Sequence, residues 1–209
     1  MQNARKVPAD LASNLDVSRE TIEKLEHYAS LVVKWQRSVN LVAKSTIPDL
    51  WTRHIWDSAQ LAPLVMAQKT ANAPLRILDI GSGAGFPGLV LSILTDAEVH
   101  LVESDQKKCI FMNNVIRECG LTARIHNVRL ETLDDQKADI VTARALASMD
   151  KLMALLDGQL RPGLRCLFLK GRNVHEELAT LSDNANLRWQ LHPSLTQQDA
   201  FVVDLTAIS

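Results

Sequence analysis

The sequence predicts an α/β fold: an open, doubly wound, mostly parallel sheet with an N-terminal helical extension and a C-terminal antiparallel hairpin. Three observations carry this. From residue 75 onward, short apolar runs alternate with helical segments, a pattern that demands parallel strands joined by helical crossovers. Four glycines, Gly81, Gly83, Gly85 and Gly88, fall between the first such strand and its helix. The last two strand-like runs have no helix between them, which marks an antiparallel pair.

Along the chain, Ser18 is a candidate N-cap, and Ile22, Leu25, Ala29 and Val32, with Tyr28, Trp35 and Val39, recur at helical spacing to about Asn40. Pro48 suits a first helical turn, and Leu50, Ile55 and Leu61 continue a second stripe that Pro63 ends or bends. Met66 to Pro74 reads as a linker, dividing a helical extension, 1–70, from a domain over 75–209. Strands are expected at Arg76–Ile80, Val99–Val102, Arg124–His126, Asp139–Thr142 and Leu164–Leu169. Helices are expected at Pro87–Leu94, Gln106–Cys119, Ser148–Asp157 and Val174–Ser182, and the hairpin at Leu187–Leu191 with Ala200–Leu205.

Composition narrows the class. With 209 residues, 46% hydrophobic and 22% charged, the chain is neither disordered nor collagen-like nor a coiled coil. No apolar run is long enough to span a bilayer and no signal-peptide pattern opens the chain, so a cytoplasmic protein without membrane contact is expected. Three cysteines without a CxxC spacing argue against a disulfide framework or a cysteine zinc site, and no metal is expected. The 23 Lys and Arg against 24 Asp and Glu give a net charge of −1, which does not announce a nucleic-acid binder. Locally, however, Arg144 to His175 holds six basic and two acidic residues, a candidate RNA-facing side.

The most informative segment runs from Asp79 to Gly88. Glycine accepts positive φ and lets a ligand approach the backbone, and a helix N-terminus beyond a strand end collects N–H groups around a crevice. Gly83-x-Gly85-x-x-Gly88 satisfies a dinucleotide fingerprint, and Glu103, at the end of the second strand, suits a ribose with either a dinucleotide or S-adenosylmethionine. Asp79 ahead of the loop favours a cationic ligand, because a carboxylate disfavours a pyrophosphate.

The loop resembles motif I of the Rossmann-like S-adenosylmethionine-dependent methyltransferases. Read with Trp35, Asn40-Leu41, Arg53-His54-Ile55-Trp56-Asp57-Ser58, Lys107-Lys108, Arg144-Ala145 and Leu169-Lys170-Gly171 in that order, the chain from about residue 18 onward resembles the bacterial 16S rRNA guanine-N7 methyltransferase family RsmG, or GidB. Glu103 and Phe86 stand where relatives carry Asp and Leu, keeping acid and bulk. The resemblance implies methyl transfer from S-adenosylmethionine to N7 of a guanine in the 530 loop of 16S rRNA. Its partner would be 16S rRNA, the small ribosomal subunit or an assembly intermediate, and a monomer is the favoured state.

The resemblance also implies roles. Gly81, Ser82, Gly83 and Phe86 would contact the methionine portion with Asp79 nearby, Glu103 the ribose, and Leu130 and Glu131 the adenine. Arg144 would serve both cofactor and substrate, with an ion pair to a local acid such as Asp150 as the structural alternative. Asn40, Arg53, His54 and Lys170 are candidate substrate contacts, Lys170 through rRNA phosphate or guanine O6 and N7, with hydrogen-bonded helix contacts to the core domain as the alternative for Asn40, Arg53 and His54. His54 and Asp57, one helical turn apart, lack a third metal ligand, and His175-Glu176-Glu177 lacks the second histidine of a zinc site. Guanine N7 carries an in-plane lone pair, so no general base is required and alignment does the work. The competing readings are a methyltransferase for another RNA, protein or small molecule, an NAD-linked enzyme, and a ribosome-assembly factor that binds cofactor without turnover.

Overall fold

The computed structural model describes residues 7, 17–68, 74–181 and 186–208. Its sheet has seven strands: β1 (Arg76–Ile80), β2 (Glu98–Val102), β3 (Ala123–His126), β4 (Ile140–Arg144), β5 (Arg165–Lys170), β6 (Leu187–Pro193) and β7 (Phe201–Ala207). They lie in the order β3-β2-β1-β4-β5-β7-β6. The first five are mutually parallel, and β7 runs antiparallel between β5 and β6. The expected hairpin is therefore present, but its second strand, not its first, docks on the parallel sheet.

Seven helices are described: α1 (Arg19–Trp35), α2 (Asp57–Ala59), α3 (Ala62–Met66), α4 (Gly88–Leu94), α5 (Gln106–Cys119), α6 (Met149–Leu155) and α7 (Val174–Ala179). Side chains alternate along each strand, so Ile77 joins one apolar layer and Leu78 the other, as do Leu167 and Phe168. The first layer unites the sheet with α1, α4, α5 and the segment to Val65; the second packs α6 and α7 beneath the hairpin. The N-terminal helices and one face of the sheet thus share a continuous core.

Local chemistry explains the ends. Ser18 Oγ accepts from Thr21 N–H, and Asp105 accepts from the Lys107 and Lys108 N–H groups to start α5, which Gly120 closes at φ 61°. Helix α1 stops at Trp35, short of Asn40, because the Gln36 side chain accepts from Leu41 and Val42 N–H and donates to the Val42 carbonyl, drawing the chain off the helix axis. Pro63 opens α3 instead of ending a helix, since its missing N–H costs nothing in a first turn. Ahead of α2, Trp51–Trp56 is wound as a π-helix. Leu50 and Ile55, five residues apart, are both fully buried. An α-helix would splay such a pair by about 140°; the wider π turn brings them to one side. Part of the expected linker, residues 69–73, and Ser182 of the expected fourth helix lie outside the described residues.

Candidate functional site

The site forms at the carboxyl ends of β1, β2 and β4, where a doubly wound sheet opens its crevice. Beyond β1 the chain turns through Gly81, Gly83 and Gly85, at φ 63°, 58° and 92°. A Cβ at Gly88 would stand 2.4 Å from Leu101 Cδ2 and 2.8 Å from Asp79 Oδ2, so this glycine lets α4 press onto the strands. Nothing but the Gly81 carbonyl, at 3.9 Å, would meet a Cβ at Gly83, and the loop there stays open to a ligand. Ser82 N–H donates to the Val102 carbonyl. Gly83 N–H donates to Glu103 Oε2 at 2.9 Å and Asp105 N–H to Oε1 at 2.8 Å. One carboxylate at the end of β2 therefore orients the loop tip. From the other side, Tyr28 of α1 donates its hydroxyl to the Ala84 carbonyl.

Asp79 is wholly buried below the loop. Its Oδ1 accepts from Thr142 Oγ1 at 2.7 Å, while Oδ2 is a buried oxygen without a well-placed donor. Burial pushes this carboxyl up to about 6, with the Thr142 hydroxyl pulling the other way.

Arg144 ends β4 beside Ala145, a non-glycine residue at φ 49°. Its guanidinium lies 5.0 Å from the Phe86 ring centroid and donates from Nη1 to the Arg53 carbonyl at 3.1 Å. The acid it faces is Asp57, at 3.9 Å, rather than Asp150. Burial lowers the Arg144 pKa, opposed by Asp57. Asp57 Oδ1 is occupied by Thr196 Oγ1 at 2.7 Å and Gln60 Nε2 at 2.9 Å. His54, 7% exposed, meets Thr46 Oγ1 through Nε2 at 2.6 Å and leaves Nδ1 buried and unpartnered. Burial, reinforced by Arg144 and Arg53, holds this histidine at about 3, so it is neutral at physiological pH.

These groups line a cleft of about 360 Å³ that also takes in Lys170, Gly171 and the β6–β7 connection at Ser194, Thr196, Gln197, Ala200 and Phe201. Of the residues singled out from sequence, Gly81, Ser82, Gly83, Phe86, Arg144, Arg53, His54 and Lys170 come together there. Phe86 is nonetheless only 2% exposed, stacked on Tyr28 and tilted against His54, so its main surface is a pedestal for its neighbours. Asp79, Glu103, Leu130, Glu131 and Asn40 do not line this cleft. Leu130 is buried and Glu131 exposed on a 3₁₀ turn, Leu130–Thr132, that follows β3. Exposed Asn40 lies along an adjoining groove with Arg37 and Lys44.

Lys170 does not offer a free ammonium. It contacts Glu177 Oε2 and donates to the Ala147 carbonyl, and its side chain is 7% exposed. Much of the basic excess from Arg144 to His175 is engaged within the protein: Arg165 is paired with Asp204 and Arg161 donates to the Ala138 carbonyl, while Lys151 and Arg172 are exposed. Among the described residues no group of three or more His, Cys, Asp or Glu side chains is placed to hold a metal. All three cysteines are buried and free, and no helix among the described residues is long and apolar enough to cross a membrane.

Sequence reasoning missed Tyr28 and Glu177 as partners of site elements, and it passed over the β6–β7 connection. A signal existed for the last: seven residues, Ser194–Ala200, five of them polar, are too many for the tight turn a hairpin needs.

Three comparisons bear on this arrangement. Residues 21–199 match the family model GidB, described as rRNA small subunit methyltransferase G. The chain is 45% identical to the ribosomal RNA small subunit methyltransferase G of Paramagnetospirillum magneticum, over 97% of this chain and 96% of that one. It is 40% identical to the protein of that name from Gluconobacter oxydans, over 91% and 95%. Among solved structures, magnesium protoporphyrin IX methyltransferase from Synechocystis superposes with a TM-score of 0.64 at 13% identity, covering 91% of this chain and 98% of that one. A ribosomal protein L11 methylase from Lactobacillus delbrueckii gives 0.58 at 17% identity, over 73% and 79%. At such identities these two establish a shared Rossmann-like methyltransferase fold.

Proposed function

The chain belongs to the rRNA small subunit methyltransferase G family, and on that premise we propose that it transfers a methyl group from S-adenosylmethionine to N7 of a guanine in the 530 loop of 16S rRNA. The observation that carries the reading is the near full-length family match, joined to a glycine loop whose open Gly83 and oriented Glu103 suit a nucleoside-bearing ligand. S-adenosylmethionine, when bound, supplies an electrophilic methyl on a sulfonium.

The protein's own groups then have three tasks. Gly81, Ser82 and Gly83 present loop backbone to the methionine portion, with Phe86 supporting them. Glu103 takes the ribose hydroxyls, and Leu130 and Glu131 flank the adenine. Arg144 orients the reactants from the end of β4: the Arg53 carbonyl occupies one of its N–H groups, and the planar guanidinium carries five. Arg53 and His54 border the nucleobase entrance, with Asn40 in the adjoining groove and Lys170 stiffening the wall through Glu177.

No side chain has to remove a proton, since N7 attacks through a lone pair; catalysis is alignment and exclusion of water. A neutral His54 fits this, because it adds no positive charge to a site where a cationic purine forms. Asp57 and Asp79 offset Arg144. The setting is the cytoplasm, the substrate is 16S rRNA within the small subunit or its precursor, and the protein acts as a monomer. The test is to incubate purified protein and labelled S-adenosylmethionine with small subunits from a strain lacking the gene. Mass mapping is expected to find one new 7-methylguanosine in the 530 loop; label on protein, on another base or nowhere defeats the reading.

A further inference from the structure

The β6–β7 connection, Ser194–Ala200, is tied down by directed hydrogen bonds. Ser194 N–H donates to the Ala200 carbonyl at 2.8 Å, closing its neck. Leu195 N–H donates to Gln60 Oε1 at 2.9 Å, and Thr196 Oγ1 to Asp57 Oδ1 at 2.7 Å, fastening it to the N-terminal helices. The next residue is Gln197, which lines the same cleft as the glycine loop and Arg144. Arg53 Nη1 donates to Gln197 Oε1 at 2.6 Å. A guanidinium only donates, so this contact settles which way the amide faces: Oε1 toward Arg53, with the Nε2 group turned to the other side as a donor.

From this we infer that Gln197 is a specificity-determining residue that reads O6 of the target guanine through its Nε2–H; the inference rests on the proposed guanine-N7 activity. O6 lies beside N7 on the Hoogsteen edge, and adenine presents an N6 donor at the same place, so a fixed donor favours guanine and opposes adenine. The choice between the bases then depends on the Arg53–Gln197 pair and on the anchoring of Thr196 to Asp57, while the cofactor end of the cleft is untouched. Gln197 is exposed and stands in a loop, so its replacement leaves the fold intact.

The experiment uses unmodified small subunits with either guanine or adenine at the target position. Wild-type protein, Gln197→Ala and Gln197→Glu are compared for N7 methylation under kcat/KM conditions, with S-adenosylmethionine affinity measured by calorimetry. Gln197→Ala is expected to lower transfer to guanine about tenfold, the loss of one directed hydrogen bond. Gln197→Glu, which replaces the donor with an acceptor, is expected to lower it about a hundredfold and to narrow the guanine-to-adenine ratio at least tenfold, with cofactor affinity within twofold of wild type. A structural role would depress both targets alike and leave that ratio unchanged, which would overturn the inference while the guanine-N7 reading stands. Wild-type protein that fails to methylate guanine N7 in these subunits would overturn both.

Discussion

Two arginines on neighbouring strands meet opposite fates. Arg165, at the start of β5, is saturated: Nε and Nη2 grip Asp204 at 2.8 and 2.7 Å, and Nη1 donates to the Leu64 carbonyl at 2.8 Å. Burial pushes the Asp204 carboxyl up, but Arg165, with His192 adding to it, outweighs this and holds the carboxyl below its ordinary range. Arg144, at the end of β4, has a single carbonyl acceptor at 3.1 Å, an acid at 3.9 Å and a ring below it. Both side chains are 18% exposed, so solvent exposure does not separate them. Satisfaction does. A fork met by a carboxylate and a carbonyl is a structural fastening, here between the hairpin and the N-terminal segment; a fork left open at a crevice keeps its capacity for a ligand.

The sharpest test of this contrast is removal of each arginine. Arg144→Ala is expected to lower methyl transfer at least a hundredfold while changing unfolding free energy by less than about 1 kcal/mol. Arg165→Ala is expected to do the reverse, costing about 3 kcal/mol in denaturant titration because Asp204 loses its partner, with turnover per folded molecule within twofold. Equal loss of stability in both variants would break the distinction.

The two regions should also answer differently to pH. At the site, the folded-state value of His54 lies below its unfolded one, so its contribution is lost as pH falls below about 6.5. Asp79 lies above its unfolded value, so its contribution grows as pH falls through about 6 and is lost as pH rises. Between pH 7 and 5 we expect His54→Gln to lose about 2 kcal/mol less stability than wild type, and Asp79→Asn to forgo a gain of about 1 kcal/mol. Asp204 is depressed, so its stabilisation is present above the unfolded carboxylate value, near 4, and is lost only as pH falls below that. Removing it should leave the pH 7 to 5 slope unchanged, as equilibrium unfolding at the two pH values would show. Arg165→Lys, which keeps the charge but not the fork, is expected to cost about 1 kcal/mol by thermal unfolding, well below the loss in Arg165→Ala.

What the sequence determined by itself is the local half of this protein. The strand Arg76–Ile80 and the helix Gln106–Cys119 stand where periodicity and capping put them, because a Ser, Asp or Gly at a helix end acts within a few residues of itself. The glycine loop was legible for the same reason: β1, its turn and α4 are contiguous, so positive φ and close approach are written in one short segment.

Only the tertiary structure decided the rest. That β7 docks on β5 ahead of β6 follows from pairing across the sheet, to which period-two patterning is blind. The π turn that turns His54 inward depends on what packs against Leu50 and Ile55. Lys170 was legible as a cation at a strand end, but its capture by Glu177 required α7 to fold back beside β5. Asp57 meets Thr196 across 139 positions of sequence, and Arg53 meets Gln197 across 144. A cap or a turn is chosen by neighbours in the chain, whereas a buried charge takes whichever partner the packed layers bring to it. That is why the glycine loop could be read in advance and the β6–β7 wall of the cleft could not.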